Sequence, residues 1–366
     1  MPRFSYSLPL DAAPWPASYS AAVTAWEQGL PAHGVIDSYP AAGQGPRGEA
    51  LATHAAWIGA SDAPRVLVLI AATHGVEGYA GSAVQLDLWR LLAARQLALP
   101  ADVALLAIHG LNPWGYAWDR RCDGEGIDLN RNFIDFARAP PANPGYGALR
   151  EAFFLDDAAA SRASLDAYRQ AHGQTAYEIA VSGGQYSDPA GPFYGGTGPG
   201  HGRRVIESLM ARHRLAERRL AVIDVHTGLG PYGYGEVICD HAPASAGART
   251  AGHWYGPACT LPAEGTSSSV PKHGLLDYAW HAIMGGDSCF ITLEFGTLGT
   301  ASLFEVLLAE TRGWAAGQPA DGPRKALAAR MRAHFCPADA AWREAVLFRA
   351  RQVITQALDG LAGEAP

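Results

Sequence analysis

The chain has 366 residues, a formal net charge of −7 and hydrophobic residues at 48% of its positions. Because acidic residues are in excess and no block of Lys or Arg occurs, the composition argues against nucleic acid or an anionic membrane surface as a partner. No apolar run approaches the roughly 20 residues that span a bilayer, and the five cysteines form no C-x-x-C pair, so we expect a cytoplasmic protein without a thiolate metal site.

The predicted elements alternate between strands and helices along most of the chain. In chain order they are a helix near Ser18–Gln28, strands Ala50–Ile58 and Val66–Ala71, a helix near Ser82–Leu97, strand Val103–Ile108, helices near Ala158–His172 and Gly202–Arg212, strand Leu220–Val225, a helix near Leu275–Met284, strand Phe290–Glu294, and helices Ser302–Glu310 and Trp342–Leu361. This alternation indicates an α/β fold, with a mostly parallel mixed sheet flanked by helices. Since no linker is visible, we expect a single domain over residues 1–366, with a core at about 60–300 and helical additions at both ends.

Polar residues directly follow three of the apolar strands. The run VLVLIAATHGVEG begins without polar alternation, which is typical of a strand buried on both faces, and continues to His74 and Glu77. A later strand leads directly to His226, and another ends at Glu294. Ligands of open α/β sheets bind at the carboxyl ends of strands, and two histidines with one glutamate form a catalytic zinc set. By itself, the His-x-x-Glu spacing is more often structural, as an exposed helix start with Glu77 near the positive end of the helix.

The segment HGLNPWGYAWDRRCDGEGIDLNRNF belongs to a longer pattern. The order is His-x-x-Glu, NPxGY, an arginine, DLNRNF, Asp-x-His and a glutamate in a late strand, and it extends over Val66–Thr297. This order resembles the zinc carboxypeptidase superfamily, which includes the aspartoacylases and the succinylglutamate desuccinylases. The resemblance implies a zinc carboxypeptidase-like fold and one Zn²⁺ per chain, bound by His74, Glu77 and His226.

The resemblance also implies roles for residues around the metal. Glu294 would be the general base that takes a proton from water and passes it to the leaving amine, and Arg121 would stabilise the oxyanion. Arg120 is the competing assignment, because the two arginines are adjacent in one loop. Asp128 would orient an imidazole, that of His74, although an aspartate in such a loop is equally suited to stabilising the loop itself.

The DLNRNF segment resembles the place where carboxypeptidases hold the terminal carboxylate of their substrates. Asn130 and Arg131 would therefore bind a free carboxylate next to the scissile amide. The planar fork of a guanidinium suits this task, because it contacts both carboxylate oxygens at once. The alternative for Arg131 is a structural ion pair with Asp128 or Asp135.

These expectations define a leading function and several alternatives. The leading one is a zinc-dependent hydrolase that cleaves an amide bond in a small peptide, like a carboxypeptidase. The second is an N-acyl amino acid deacylase of aspartoacylase type, which gains weight because no tyrosine occupies Gly265–Gly274, where digestive carboxypeptidases carry a mobile one, and Tyr278 aligns poorly. A non-catalytic binding protein should lack Glu294 or a metal ligand, and none is missing. A serine hydrolase is disfavoured, because no G-x-S-x-G motif occurs.

Three further side chains are open to more than one interpretation. His109 ends a strand and could line the site, but it has no partner at ligand spacing. Tyr186 and Tyr194 lie in the loop QYSDPAGPFYGG, where they are either pocket walls or aromatic anchors that pack the loop.

Overall fold

The computed structural model describes residues 7–10, 14–317 and 322–363. Within these residues eight strands form one mixed sheet: β1 (Val35–Gln44), β2 (Ala50–Ile58), β3 (Arg65–Ala71), β4 (Val103–His109), β5 (Arg219–Gly228), β6 (Gly235–Ile238), β7 (Cys259–Thr260) and β8 (Cys289–Gly296). Their order across the sheet is β1-β2-β4-β3-β5-β8-β6-β7. Strand β3 is parallel to β4 and β5, β5 to β8 and β6 to β7, whereas the other three pairings are antiparallel. The predicted α/β fold with a mostly parallel mixed sheet is therefore confirmed.

Helices cover both faces of this sheet. The α-helices of the described residues are α1 (Tyr19–Gly29), α2 (Gly78–Ala93), α3 (Pro113–Ala117), α4 (Pro144–Phe153), α5 (Ala158–His172), α6 (Gln174–Ser182), α7 (His201–Arg212), α8 (Ala246–Tyr255), α9 (Asp277–His281), α10 (Thr300–Ala315), α11 (Pro323–Phe335) and α12 (Ala340–Ala362). None of them combines the length and the apolar composition needed to cross a bilayer. That these elements form a single domain over 1–366 stays a prediction.

Strand β3 shows why the central strands are apolar at every position. Its side chains alternate between two hydrophobic clusters, with Leu67 and Leu69 packed on the side of α1, α2, α8 and α12. Val66, Val68 and Ile70 pack on the opposite side, against α7 and α9. Because each face of the strand is covered by helices, a polar side chain on either face would be buried without water.

The three strands that the sequence does not predict are exposed or short. Strand β1 is an edge strand that contains Pro40, and most of its side chains are exposed or half-exposed, so it shows no hydrophobic run. Strands β6 and β7 have only four and two residues.

The helix expected near Leu275–Met284 is wrong in extent, because only the five residues of α9 are helical. Helix α2 begins at Gly78, four residues before the predicted start.

The parallel strands bring three polar chain segments to one edge of the sheet. Ala71 at the end of β3 pairs in register with Val225 of β5, and His226 of β5 pairs with Glu294 of β8. His74 follows β3 by three residues and precedes a 3₁₀ turn that continues into α2. The carboxyl ends of these strands therefore hold all the predicted metal-binding residues together with Glu294.

Candidate active site

A tight turn after β3 positions His74 and Glu77. The main-chain N–H of Val76 donates to the carbonyl oxygen of Arg120 at 2.8 Å, and that of Gly75 donates to the carbonyl of Arg121 at 3.2 Å. A Cβ atom at Gly75 would lie 2.0 Å from the main chain of Gly115, so only glycine fits this crossing of two chain segments. The glycine after His74 thus allows helix α3 to pack directly against the turn that carries His74 and Glu77.

The side chains of His74, Glu77 and His226 converge on one point. The Nδ1 atoms of the two histidines are 3.1 Å apart, and they lie 2.9 and 3.1 Å from the two oxygens of Glu77. The Nε2 atoms face away, toward Asp128 Oδ1 at 3.2 Å and Asp224 Oδ2 at 2.6 Å. At His226, whose Nε2 faces Asp224, an Nε2–H that donates to the carboxylate leaves the lone pair of Nδ1 free for a ligand. Among the described residues these three form the one group of side chains that could hold a metal ion.

This donor set fits a zinc ion. Zinc takes neutral imidazole nitrogen and carboxylate oxygen, and its catalytic sites use three protein ligands with one position left open. All three side chains are buried. Burial alone would lower the pKa of His226, but the charge of Asp224, the hydrogen bonds from Asp224 and Glu77 and the charge of Glu77 together raise it well above its ordinary value. The same negative groups would stabilise a cation held by the three residues.

Glu294 lies beside this group without belonging to it. Its Oε1 accepts a hydrogen bond from the main-chain N–H of Leu229 at 2.9 Å, and its side chain lines the same pocket as the three residues. Burial, with a smaller effect of the negative charge of Glu77, raises the pKa of Glu294 to about 7. A carboxyl group that titrates near neutral pH can both accept and donate a proton during a reaction.

The two adjacent arginines point in different directions. Arg121 donates from Nε to Asp128 Oδ2 at 2.8 Å, and its Nη2 lies 2.7 Å from His74 Nε2, so its guanidinium is part of the site. Arg120 instead forms a buried ion pair with Glu310, and its guanidinium lies 4.1 Å from the ring centroid of Trp314. The geometry therefore favours Arg121 over Arg120 for any role at the pocket.

Asp128 combines the two interpretations that the sequence leaves open. Its Oδ1 accepts from the main-chain N–H of Asn130 at 3.0 Å, which stabilises the turn, and the same oxygen contacts His74. Its Oδ2 accepts from Arg121. Burial would raise the pKa of Asp128, but the charges of Arg121 and His74 lower it well below its ordinary value. Asp128 thus stays ionised between an imidazole and a guanidinium.

Arg131 is buried and makes its contacts with main-chain oxygens. Its Nε and Nη2 donate to the carbonyl of Ser182 at 3.1 and 2.7 Å, and its Nη1 donates to the carbonyl of Asn130. Among the described residues it forms no ion pair, so neither Asp128 nor Asp135 is the structural partner that the alternative interpretation requires. The side-chain oxygen of Asn130 accepts from the N–H of Leu276 at 2.7 Å.

An open pocket of about 730 Å³ joins these residues. Its walls include three residues that the sequence analysis does not single out, namely Phe193, Asp240 and Lys272. Phe193 comes from the aromatic loop, whereas Tyr186 and Tyr194 of that loop do not line the pocket; Tyr186 donates instead to the carbonyl of Arg131 at 2.7 Å. The loop QYSDPAGPFYGG therefore lines the pocket through Phe193 and not through its two tyrosines.

Two other side chains lie away from the pocket. His109 is fully buried on the α2 side of the sheet, where its ring stacks on Trp26 at 5.2 Å and its Nε2 contacts Ser82 Oγ at 2.8 Å. Tyr278 is partly exposed, and its hydroxyl donates to the carbonyl of Lys272 at 2.9 Å. Neither residue lines the pocket that holds His74, Glu77 and His226.

Comparison with solved structures finds a carboxypeptidase, a desuccinylase and an aspartoacylase family protein. The chain is similar to carboxypeptidase A from Helicoverpa armigera, with 15% identity, coverage of 89% of this chain and 75% of that chain, and a TM-score of 0.47. It is similar to succinylglutamate desuccinylase from Chromobacterium violaceum, with 17% identity, coverage of 82% and 75%, and a TM-score of 0.37. An aspartoacylase family protein from Mesorhizobium loti shows 14% identity, coverage of 78% and 67%, and a TM-score of 0.38.

Sequence comparison places the chain in a family. The model of the family described as "Protein of unknown function (DUF2817)" matches residues 20–349, so the chain belongs to this family. The comparison with curated protein sequences finds no match.

Proposed function

We propose that the protein is a zinc-dependent hydrolase that cleaves an amide bond in a small peptide, in the manner of a carboxypeptidase. One observation carries this proposal: the Nδ1 atoms of His74 and His226 and the carboxylate of Glu77 converge beside a second buried acid, Glu294, that is not part of the group. A purely structural cluster has no need for a separate acid at the same strand edge. A hydrolase needs one to move protons.

In this proposal, different residues bind the metal ion and orient its ligands. His74, Glu77 and His226 hold the ion, and Asp128 and Asp224 fix the orientation of the two imidazoles. When bound, zinc polarises a carbonyl group and makes water more acidic.

The proton transfers and the charge on the substrate involve two further residues. Glu294 accepts a proton from the attacking water and delivers it to the nitrogen of the leaving amine. Arg121 donates hydrogen bonds to the substrate carbonyl oxygen as negative charge develops on it.

Asn130 and Arg131 would hold the carboxylate of the substrate. Each terminal nitrogen of Arg131 carries two N–H groups and uses one of them on a main-chain oxygen, so one N–H on each nitrogen is left for a ligand. Two parallel N–H donors match the two oxygens of a carboxylate. A substrate held in this way presents its amide to the groups that react, which lowers the entropic cost of reaching the transition state.

A second candidate is the hydrolysis of N-acyl amino acids. It is favoured by the segment that precedes Glu294, where the loop at 265–274 contains no tyrosine and the hydroxyl of Tyr278 is engaged with the main chain of Lys272. Both reactions use the same metal, base and oxyanion residues. They differ in whether the acyl side of the scissile bond is a peptide or a simple acyl group.

The test begins with the metal. We expect the purified protein to contain one zinc per chain by mass spectrometry of metals, and His226→Ala to lose both the metal and the hydrolysis of matched N-acyl dipeptides and N-acetyl amino acids. His253→Ala is the matched control, because His253 is exposed on α8 and should keep both properties. The proposal is wrong if His226→Ala retains stoichiometric zinc. It is also wrong if zinc added to metal-free wild-type protein restores no hydrolysis.

The same substrates separate the two candidates and test the carboxylate contact. The proposal requires the wild-type protein to prefer dipeptides with a free terminal carboxylate over the corresponding amides, and Arg131→Met to lose that preference. Equal cleavage of both forms by the wild-type protein would eliminate the proposed role of Arg131. Preference for N-acetyl amino acids over dipeptides would select the deacylase.

A further inference from the structure

We propose that Lys272 forms a second anion-binding position beside Arg131, so that the substrate carries an acidic side chain in addition to its terminal carboxylate. This inference rests on the proposed function and names the class of substrate: peptides or acyl amino acids whose carboxyl-terminal residue is itself a dicarboxylate. The observations that carry it are the charges, contacts and attachment of the loop around Lys272.

The first observation is that the pocket contains cations without ion pairs. The buried arginines of the described residues are Arg120, Arg131 and Arg351, and the first and third form ion pairs with Glu310 and Asp87. Arg131 forms none. Lys272 lines the same pocket, and its ammonium donates only to Ser269 Oγ and to the carbonyl of Val270, at 2.8 Å for the latter. Arg131 is buried and Lys272 is half-buried, and a charge shielded from water without a partner is unfavourable, so an anion that enters the pocket would bind both cations.

The second observation is the rarity of lysine in this chain. Of its 28 basic residues only Lys272 and Lys325 are lysines, and the others are arginines. The pocket therefore uses a lysine where the rest of the chain uses arginine. An ammonium is a compact point charge with three donors, so it can bind an anion beside a guanidinium without the planar geometry that a second guanidinium would require.

The third observation is that the loop of Lys272 is fixed against the turn of Arg131. The main-chain N–H of His273 donates to the carbonyl of Gly183 at 3.1 Å, and the N–H of Phe133 donates to the carbonyl of Gly274 at 3.1 Å. The loop therefore sits between the segments that surround Arg131. Two of the three ammonium N–H groups are used within the loop, and the third is left for a ligand. A position fixed in this way binds an anion without a large ordering cost.

Asp240 is the carboxylate that competes with this interpretation. It lines the same pocket, but among the described residues it forms no ion pair with Lys272 or Arg131. Burial raises the pKa of Asp240, against the smaller effects of the two cations. The positive charge of Arg131 also lowers the pKa of Lys272 more than Asp240 raises it, although burial has the largest effect. Asp240 therefore does not supply the missing negative charge at contact distance.

The experiment compares carboxyl-terminal residues that differ in charge but little in shape. Matched N-acyl dipeptides that end in Glu, Gln or Lys are given to the zinc-loaded protein, and kcat/KM is measured for each. We expect a preference for Glu over Gln of roughly ten- to a hundredfold, which is the value of a charge-assisted hydrogen bond. Lys272→Met should reduce this preference to about twofold or less, and Lys325→Met, the only other lysine, should retain it.

A binding measurement separates this inference from the proposed function. Calorimetry with free glutamate and glutamine, on protein without added metal, should show tighter binding of glutamate to the wild type and to Lys325→Met, and no difference with Lys272→Met. If glutamate binds selectively but no dipeptide is cleaved, the anion position stands and the proposed hydrolysis does not. The inference is overturned if the wild-type protein treats Glu and Gln alike, if it prefers Lys, or if Lys272→Met weakens both acidic and neutral ligands equally.

Discussion

The protein buries polar groups in two regions, and these differ in how their charges are matched. In the region that we call the helix-side network, beneath α2 and α12, Arg351 donates from Nε and Nη2 to the two oxygens of Asp87 at 2.6 and 2.8 Å. In the same layer Gln85 accepts from Trp26 at 2.7 Å and donates to two main-chain oxygens of neighbouring strands, both at 3.0 Å. Each of these groups finds its partner within the chain.

The strand-end site is built without this balance. Among the described residues Arg131 and Lys272 have no carboxylate partner at ion-pair distance, and Glu294 lies near a second acid, Glu77, whose charge contributes to its raised pKa. Buried polar residues are therefore not by themselves the mark of a site in this protein. The strand-end site differs from the helix-side network in its unbalanced charges. An added cation would balance its acids, and an added anion would balance Arg131 and Lys272.

The largest effect that we expect at the strand-end site follows from Glu294→Gln. Because the amide cannot accept the proton of water, kcat/KM should fall by roughly two to four orders of magnitude, the usual range for an acid–base group. The zinc content should stay at the wild-type level, since Glu294 is outside the group of His74, Glu77 and His226. Steady-state kinetics and metal analysis of the same preparation provide the measurement.

Two outcomes would contradict the role of Glu294 as a base that does not bind the metal. Loss of zinc from Glu294→Gln would make Glu294 a ligand rather than a base. Unchanged kcat/KM would mean that another group moves the proton, and the strand-end site would then lose the feature that separates it from a structural metal site.

The next effect concerns the helix-side network and should appear in stability alone. Arg351→Met removes the bidentate partner of Asp87, which keeps only the Nη1 of Arg90 at 3.1 Å. Breaking a buried ion pair from one side costs about 3–5 kcal/mol, and we expect the low end of this range because Arg90 remains. Urea unfolding measures the loss, and the zinc content and kcat/KM of the folded protein should not change.

The double variant Asp87→Leu/Arg351→Met sharpens this prediction. Because replacing both members of a buried pair by apolar groups removes the unpaired charge, the double variant should recover part of the lost stability. If Arg351→Met instead lowers kcat/KM while the free energy of unfolding is unchanged, the two regions are coupled and the contrast between them fails.

The sequence predicts the centre of the strand-end site because its residues follow apolar strands. His74, His226 and Glu294 each lie at or just beyond the end of a strand that is buried on both faces, and parallel strands end at the same edge of a sheet. The burial of β3, β5 and β8 is therefore enough to bring these side chains near one another. The same reasoning cannot find β1, an exposed edge strand, or β6 and β7, which are very short.

The pocket around that centre depends on contacts that leave no pattern in the sequence. Arg120 and Arg121 are neighbours, and only the course of the loop decides that one pairs with Glu310 while the other contacts His74. Lys272 lies in a loop whose place is set by main-chain hydrogen bonds to distant segments. Its one signal is compositional, since it is one of two lysines in the chain, but composition does not say where a side chain lies.

The smallest effect that we expect is a pH dependence of substrate preference, and it tests whether Lys272 is an unmatched charge. Burial, followed by the positive charge of Arg131, lowers the pKa of Lys272 to about 8, while Asp240 and Glu294 act in the opposite direction and Arg121 lowers it further. As the pH rises through about 8, Lys272 loses its proton and with it the attraction for an acidic side chain. The ratio of kcat/KM for dipeptides ending in Glu and in Gln should therefore be highest below pH 7 and fall several-fold by pH 9.

The ratio isolates Lys272 because Glu294 affects both substrates equally. The pKa of Glu294, about 7, shapes each separate kcat/KM profile, but its contribution cancels when one profile is divided by the other. In Lys272→Met the ratio should be close to one at every pH, and in Lys325→Met it should follow the wild-type curve. A wild-type ratio that stays high and constant from pH 6 to 9 would mean that Lys272 keeps its proton over this range, as a lysine matched by a negative charge does, and the strand-end site would then resemble the helix-side network after all.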